Sequence, residues 1–122
     1  MAHILVVDDD EQIRRLLAIT LERAGHEVTE APDGRIAARL YRERPADVVI
    51  TDILMPEMEG IETILNLRED HPDLKVIAIS GGGRLGPDVY LDLAERCGVL
   101  RTFPKPIDRQ ALLSAIDEAV AA

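Results

Sequence analysis

Aromatic residues and cysteine are almost absent from this sequence. Its 122 residues include two tyrosines, one phenylalanine and no tryptophan, so a folded core must be aliphatic. The only cysteine is Cys97, which excludes a disulfide within the chain and fits a reducing compartment. The N-terminus has no basic stretch of the signal-peptide kind, and no apolar run approaches the length of a membrane span. We therefore expect a cytoplasmic protein that does not enter a membrane.

Positive charge is also in short supply. The chain has 14 lysines and arginines against 23 acidic residues, which gives a formal net charge of −9. An acidic surface repels nucleic-acid phosphates, so we expect no direct binding of nucleic acid through a broad basic face. The length suits one compact domain, and no repeat or linker interrupts the sequence. We predict a single domain over residues 1–122.

Short apolar runs alternate with segments of helical periodicity along the chain. The predicted strands cover residues 3–7, 26–30, 47–51, 75–80 and 99–103. The predicted helices are 11–24, a helix between the cap Asp33 and Pro45, 59–69, a fourth from Pro87 to Cys97, and a last one capped by Asp108. Their inner stripes are expected to include Leu16, Ile64, Leu65 and Val120.

Two features of this pattern predict the fold class. Strands one, three and four are continuous apolar runs, which indicates that both faces of the sheet are buried. Every strand is followed by a helix, which indicates a parallel sheet with right-handed crossovers. Five such units in 122 residues predict an α/β fold, an open doubly wound sheet of five parallel strands with five helices.

Ligands of open sheets bind outside the carboxyl ends of the strands. The polar residues at or just after these ends are Asp8, Asp9, Asp10, Asp52, Ser80 and Lys105. Converging carboxylates repel one another, so the cluster favours a bound cation, and its oxygen ligands suit Mg²⁺ or Mn²⁺. The three histidines fit no zinc pattern.

This edge has the groups needed to accept a phosphoryl group. Asp52 is placed as a nucleophile that forms an acyl phosphate. A metal ion and Lys105 would neutralise the phosphoryl oxygens, and the Ser80 hydroxyl would donate to one of them. Taken singly, each residue also fits a plainer role, such as helix capping for Asp8 or a solvated loop position for Lys105. Their joint placement at one edge favours phosphoryl chemistry.

The motifs at the strand ends are VVDDD, TDILMPEMEG, AISG and FPKP. Together they resemble the receiver domains of two-component response regulators, and the resemblance covers essentially the whole chain. It implies a flavodoxin-like strand order of 2-1-3-4-5. It also implies that Asp52 is the phosphorylation site. Asp8, Asp9, the Asp52 side chain and the backbone carbonyl of Leu54 would hold Mg²⁺.

The resemblance further implies how the domain is used. Lys105 would contact the phosphoryl group, with a cis peptide before Pro106, and the Ser80 hydroxyl would turn toward it as a switch. The donor would be a phosphohistidine of a sensor histidine kinase or a histidine phosphotransfer protein. The domain would catalyse its own phosphorylation and dephosphorylation, without turning over a separate substrate. Phosphorylation would alter the surface around the fourth helix, fifth strand and last helix and so control a downstream protein, whose identity is unknown.

Two positions depart from the family pattern: Leu54, where other members often carry a polar side chain, and the position three residues before the lysine. Receiver domains often have Tyr or Phe three residues before the lysine, where this chain has Thr102. Phe103 comes one residue later, and strand alternation predicts that it points to the other face of the sheet. The signal is therefore expected to pass through the loop at residues 81–83 and its helix instead of through an aromatic switch.

Three alternatives stay open at this point. A haloacid-dehalogenase-like phosphatase also uses an aspartate and Mg²⁺, but Gln12 does not fit its motif and the chain is short for that class. A flavin-binding module would need a first loop that cradles phosphate, and the triplet at 8–10 would repel the ligand. A degenerate receiver that binds proteins without phosphorylation is the third.

Overall fold

Five parallel strands form one sheet in the order β2-β1-β3-β4-β5, which confirms the predicted topology. A computed structural model of the chain describes residues 2–53, 59–80, 92 and 98–121. The strands are β1 (His3–Val7), β2 (Glu27–Ala31), β3 (Val48–Asp52), β4 (Val76–Ser80) and β5 (Arg101–Pro104).

Helices connect these strands on both faces of the sheet. In the described ranges they are α1 (Glu11–Arg23), α2 (Gly34–Glu43), α3 (Glu59–Asp70) and α4 (Arg109–Ala121). The predicted fourth helix lies outside the described residues, apart from Asp92, which is helical. None of the helices in the described part of the chain is long and apolar enough to cross a membrane.

The helix boundaries follow from capping side chains. Asp10 precedes α1 and accepts hydrogen bonds from the backbone N–H groups of Gln12 and Ile13. Asp33 and Asp108 cap α2 and α4 in the same way, as predicted. Gly25, just beyond α1, has a φ of 95°, a conformation that side chains with a Cβ rarely adopt.

The core consists of two aliphatic layers, one on each face of the sheet. Alternating strand residues divide between them, so Leu5 and Val7 pack toward α2 and α3, whereas Ile4 and Val6 pack toward α1 and α4. All five residues of β3 are buried. The continuous apolar runs therefore do indicate strands buried on both faces.

Phe103 lies in the layer beneath α1 and α4 and is only 6% exposed. Its strand neighbour Thr102 pairs with Ala78, which belongs to the opposite layer. The predicted change of face between these two residues is confirmed, and the aromatic ring is part of the core.

Three large apolar residues predicted on inner helical stripes are exposed instead. Leu16 and Leu65 are each 50% exposed, and Val120 is 43% exposed. Successive residues of a helix point about 100° apart, so residues at the margin of an apolar stripe point away from the sheet. A helix that packs on a sheet therefore buries a narrower stripe than the apolar pattern suggests. In α3 the buried stripe is Thr63, Ile64 and Leu67.

This difference within α3 can be measured by denaturant unfolding. We expect Ile64→Ala to lower the free energy of unfolding by roughly 2–5 kcal/mol, because it removes a fully buried side chain. Leu65→Ala makes the same kind of truncation at the next position and should change it by only about 0.5 kcal/mol. Equal losses in the two variants would contradict the observed orientation of α3.

Candidate functional site

Strand register places the predicted polar residues at one edge of the sheet. Val7, the last residue of β1, is paired with Thr51 of β3, so Asp8 and Asp52 follow at the same level on neighbouring strands. Ser80 ends β4 opposite Pro104 of β5, and Lys105 comes directly after. The carboxyl ends of β1, β3, β4 and β5 thus converge, as the sequence predicts.

Three carboxylates meet at this edge. One carboxylate oxygen from each of Asp8, Asp9 and Asp52 lies within 4.8 Å of the other two. Asp8 and Asp52 are buried, with exposures of 0% and 3%, whereas Asp9 is exposed. Asp10 does not join the group, because its side chain caps α1. Of the acidic triplet, the first two residues therefore face the site and the third has the plainer role.

Lys105 bridges the two buried carboxylates. Its Nζ donates to Asp52 Oδ2 at 2.9 Å and to Asp8 Oδ2 at 3.2 Å. The peptide between Lys105 and Pro106 is cis, as the resemblance implies. The lysine side chain is 17% exposed, so these contacts are largely shielded from solvent. The solvated-loop alternative for this lysine is thereby contradicted.

Burial and neighbouring charges shift the pKa values of both Asp8 and Lys105. Burial raises the pKa of the Asp8 carboxyl, and the charge of Asp52 acts in the same direction, against the opposing effects of the Asp10 N–H and Lys105. Burial on its own would lower the pKa of Lys105, but its hydrogen bonds and attraction to Asp52 and Asp8 outweigh this and raise it. The ammonium form of Lys105 is therefore favoured by its surroundings.

Hydrogen bonds hold the loop after β1 at Asp8 and Asp10. The Asp8 N–H donates to the carbonyl of Ala31 at 3.2 Å, and Asp8 Oδ1 accepts from the Asp10 N–H at 2.9 Å. Arg14 Nη1 donates to the Asp8 carbonyl at 2.9 Å. Arg14 was not among the predicted site residues, since nothing in one sequence distinguishes it from the neighbouring Arg15.

Two predicted site residues are not settled by these contacts. Leu54, whose carbonyl was predicted as a metal ligand, lies outside the described residues. The backbone of Ser80 ends β4 at the expected edge, but its side chain is not among those the structure describes. The groups that the structure does bring together are Asp8, Asp9, Asp52 and Lys105.

Comparison with known proteins identifies the family of the chain. A family model for the response regulator receiver domain matches residues 4–117. The chain belongs to this family. A solved receiver domain from Clostridium thermocellum superimposes with a TM-score of 0.89 at 32% identity, covering 99% of this chain and 95% of that one. Membership in the receiver family sets aside the phosphatase and flavin-binding alternatives.

Curated receiver-domain relatives differ greatly in length. The response regulator receiver protein CpdR of Brucella abortus is 35% identical over 122 residues, which cover all of this chain and 99% of CpdR. The chemotaxis protein CheY of Thermotoga maritima is 33% identical, with 94% of each protein covered. The chain spans only about a quarter (26%) of the transcriptional regulatory protein GlrR of Escherichia coli, to which it is 34% identical.

The cost of burying Asp8 beside Asp52 leads to a stability prediction. We expect Asp8→Asn to raise the free energy of unfolding in metal-free buffer by roughly 0.5–2 kcal/mol, since it removes a buried charge and keeps the acceptor for the Asp10 N–H. Chemical denaturation in the presence of a chelator measures this. Asp10→Asn is the matched control and should be nearly neutral, because Asn and Asp cap helices about equally well. A destabilised Asp8→Asn variant would show that the Lys105–Asp8 contact outweighs the repulsion.

Proposed function

We propose that this receiver domain is a Mg²⁺-dependent phospho-acceptor, in which Asp52 takes a phosphoryl group from a phosphohistidine. Receiver domains of two-component systems carry out phospho-acceptor signalling, and the chain belongs to that family. The observation that carries the proposal for this chain is the Lys105 ammonium held between Asp8 and Asp52, next to a third carboxylate. A cation already directed at the acceptor carboxylate is also directed at the oxygens of a phosphoryl group bound there.

The donor atoms fit a hard divalent cation. Three carboxylate oxygens within 4.8 Å of one another match the all-oxygen coordination that Mg²⁺ and Mn²⁺ prefer. Asp8, Asp9 and Asp52 would hold the ion, together with the backbone carbonyl of Leu54. A bound ion would supply positive charge to the phosphoryl oxygens and relieve the repulsion among the carboxylates.

In the proposed reaction one bond to phosphorus forms and one breaks. A carboxylate oxygen of Asp52 forms a bond to phosphorus while the bond between phosphorus and the donor imidazole nitrogen breaks, and that nitrogen keeps the electron pair and takes up a proton. Lys105 Nζ, 2.9 Å from Asp52 Oδ2, contacts a phosphoryl oxygen as the charge moves outward. The Ser80 hydroxyl donates to another oxygen. Attack of water on the phosphorus of the acyl phosphate then releases inorganic phosphate and restores the Asp52 carboxylate.

Partners and output follow from the same proposal. The phosphoryl donor is a sensor histidine kinase or a histidine phosphotransfer protein, and the recipient of the signal is a downstream protein in the cytoplasm. The surface that changes comprises the helix predicted at residues 87–97, β5 and α4, since Lys105 connects β5 to α4. The acidic net charge of −9 argues against direct binding of nucleic acid by this domain.

The decisive experiment uses acetyl phosphate as a small donor, with intact mass as the readout. The wild-type protein should gain the mass of one phosphoryl group in the presence of Mg²⁺ and none in the presence of a chelator. Asp52→Asn should gain none, because it removes the nucleophilic oxygen. Asp10→Asn serves as the control, since this neighbouring carboxylate caps α1, and it should be modified like the wild type.

The alternative, a degenerate receiver that acts as a phosphorylation-independent binding module, predicts a different pattern. A folded wild-type protein that neither gains mass nor binds beryllofluoride would favour that alternative. Modification that persists in Asp52→Asn would instead place the acceptor at another residue.

A further inference from the structure

Arg14 contacts the backbone of the loop that carries Asp8 and Asp9. Its side chain extends from α1 and is 14% exposed. Nη1 donates to the Asp8 carbonyl at 2.9 Å, and Nε donates to Glu30 Oε1 at 3.2 Å. Glu30 belongs to β2 and accepts a second hydrogen bond, from Arg15 Nη1 at 2.6 Å. The guanidinium group of Arg14 thus connects the loop after β1 to the neighbouring edge strand.

The contacted carbonyl belongs to the peptide between Asp8 and Asp9. A peptide unit is planar and includes both flanking Cα atoms, so a contact that holds its C=O also restrains the Cα atoms of Asp8 and Asp9. These two Cα atoms bear the carboxylates that lie within 4.8 Å of each other and of Asp52. The direction of this carbonyl therefore constrains the backbone positions from which the Asp8 and Asp9 side chains extend.

We propose that Arg14, held in place by Glu30, is a positioning residue for the divalent cation site of this domain. The inference rests on the proposed function, since it concerns ligands of the proposed Mg²⁺ ion. Mutual repulsion pushes the Asp8 and Asp9 carboxylates apart when no cation lies between them. The contact with Arg14 opposes this rearrangement, because it holds the peptide that joins the two residues and brings a positive charge beside the loop.

The neighbouring residue Arg15 separates this role from plain stabilisation of the fold. Arg14 and Arg15 both form an ion pair with Glu30, at 3.2 Å and 2.6 Å, and both lie on α1. Only Arg14 also contacts the loop after β1, through the Asp8 carbonyl. A stabilising effect of pairing α1 with β2 is shared by the two arginines, whereas an effect on the metal site belongs to Arg14 alone.

The test compares Mg²⁺ binding to the Arg14→Met and Arg15→Met variants. The dissociation constants are measured by calorimetric titration of the metal-free proteins with Mg²⁺. Arg14→Met should weaken Mg²⁺ binding by about tenfold or more, the size of effect seen when groups that orient metal ligands are removed. Arg15→Met should bind Mg²⁺ with the wild-type affinity. Arg14→Lys keeps the charge and disturbs packing less, so its loss of Mg²⁺ affinity should be smaller than that of Arg14→Met. Some loss is still expected, because a single nitrogen replaces the two that contact Glu30 and the Asp8 carbonyl.

The outcomes are distinguishable. Wild-type affinity in a folded Arg14→Met protein, or in Arg14→Lys if the methionine variant does not fold, would overturn the positioning role. An equal loss in Arg14→Met and Arg15→Met would assign the effect to the Glu30 ion pairs and would also overturn it. In either case the wild-type protein would still bind Mg²⁺ and accept a phosphoryl group at Asp52. A wild-type protein that does neither would refute the proposed function itself, and the inference with it.

Discussion

The ammonium group of Lys105, hydrogen-bonded to two buried carboxylates at 2.9 and 3.2 Å, is the interaction on which the rest of the site depends. Two like charges about 4 Å apart repel each other by roughly 4 kcal/mol at an effective dielectric constant near 20. Asp8 has no exposure to solvent that would screen this repulsion. A cation between the carboxylates offsets much of it, so Lys105 allows an acidic site to persist at the edge of an apolar core.

The order of the strands allows the Lys105 ammonium group to reach both buried carboxylates. β1 and β3 are neighbours, which brings Asp8 beside Asp52, and β4 separates them from β5, which Lys105 directly follows. The lysine must therefore extend across the end of β4 to reach both acids. A slip of β3 by one residue would direct Asp52 toward the other face and move Thr51 into its place. Every residue of β3 is buried, so such a slip would also misplace the side chains that pack in both aliphatic layers.

Much of this arrangement can be predicted from the sequence. Continuous apolar runs indicate the parallel strands, and because parallel strands end at one edge, the positions of Asp8, Asp9, Asp52 and Lys105 follow. Side-chain direction in the loop and on the helices is harder to predict. Asp10 looks like its two neighbours but caps α1, and Leu65 looks like Ile64 but faces solvent. The contact of Arg14 with the Asp8 carbonyl depends on how α1 lies against β2, which a pattern of residue types does not specify.

The same electrostatics that make the site costly also make it responsive. Lys105 divides its hydrogen bonds between Asp8 and Asp52, so any change in charge at either carboxyl alters the balance between the two contacts. In the proposed reaction a phosphoryl group on Asp52 moves negative charge outward from the sheet edge, and the ammonium group is drawn after it. The ring of Phe103 stays packed in the layer beneath α1 and α4 and resists displacement of β5. The response to phosphorylation is therefore expected in the segments that follow the strand ends, with the sheet itself acting as the rigid support against which they move.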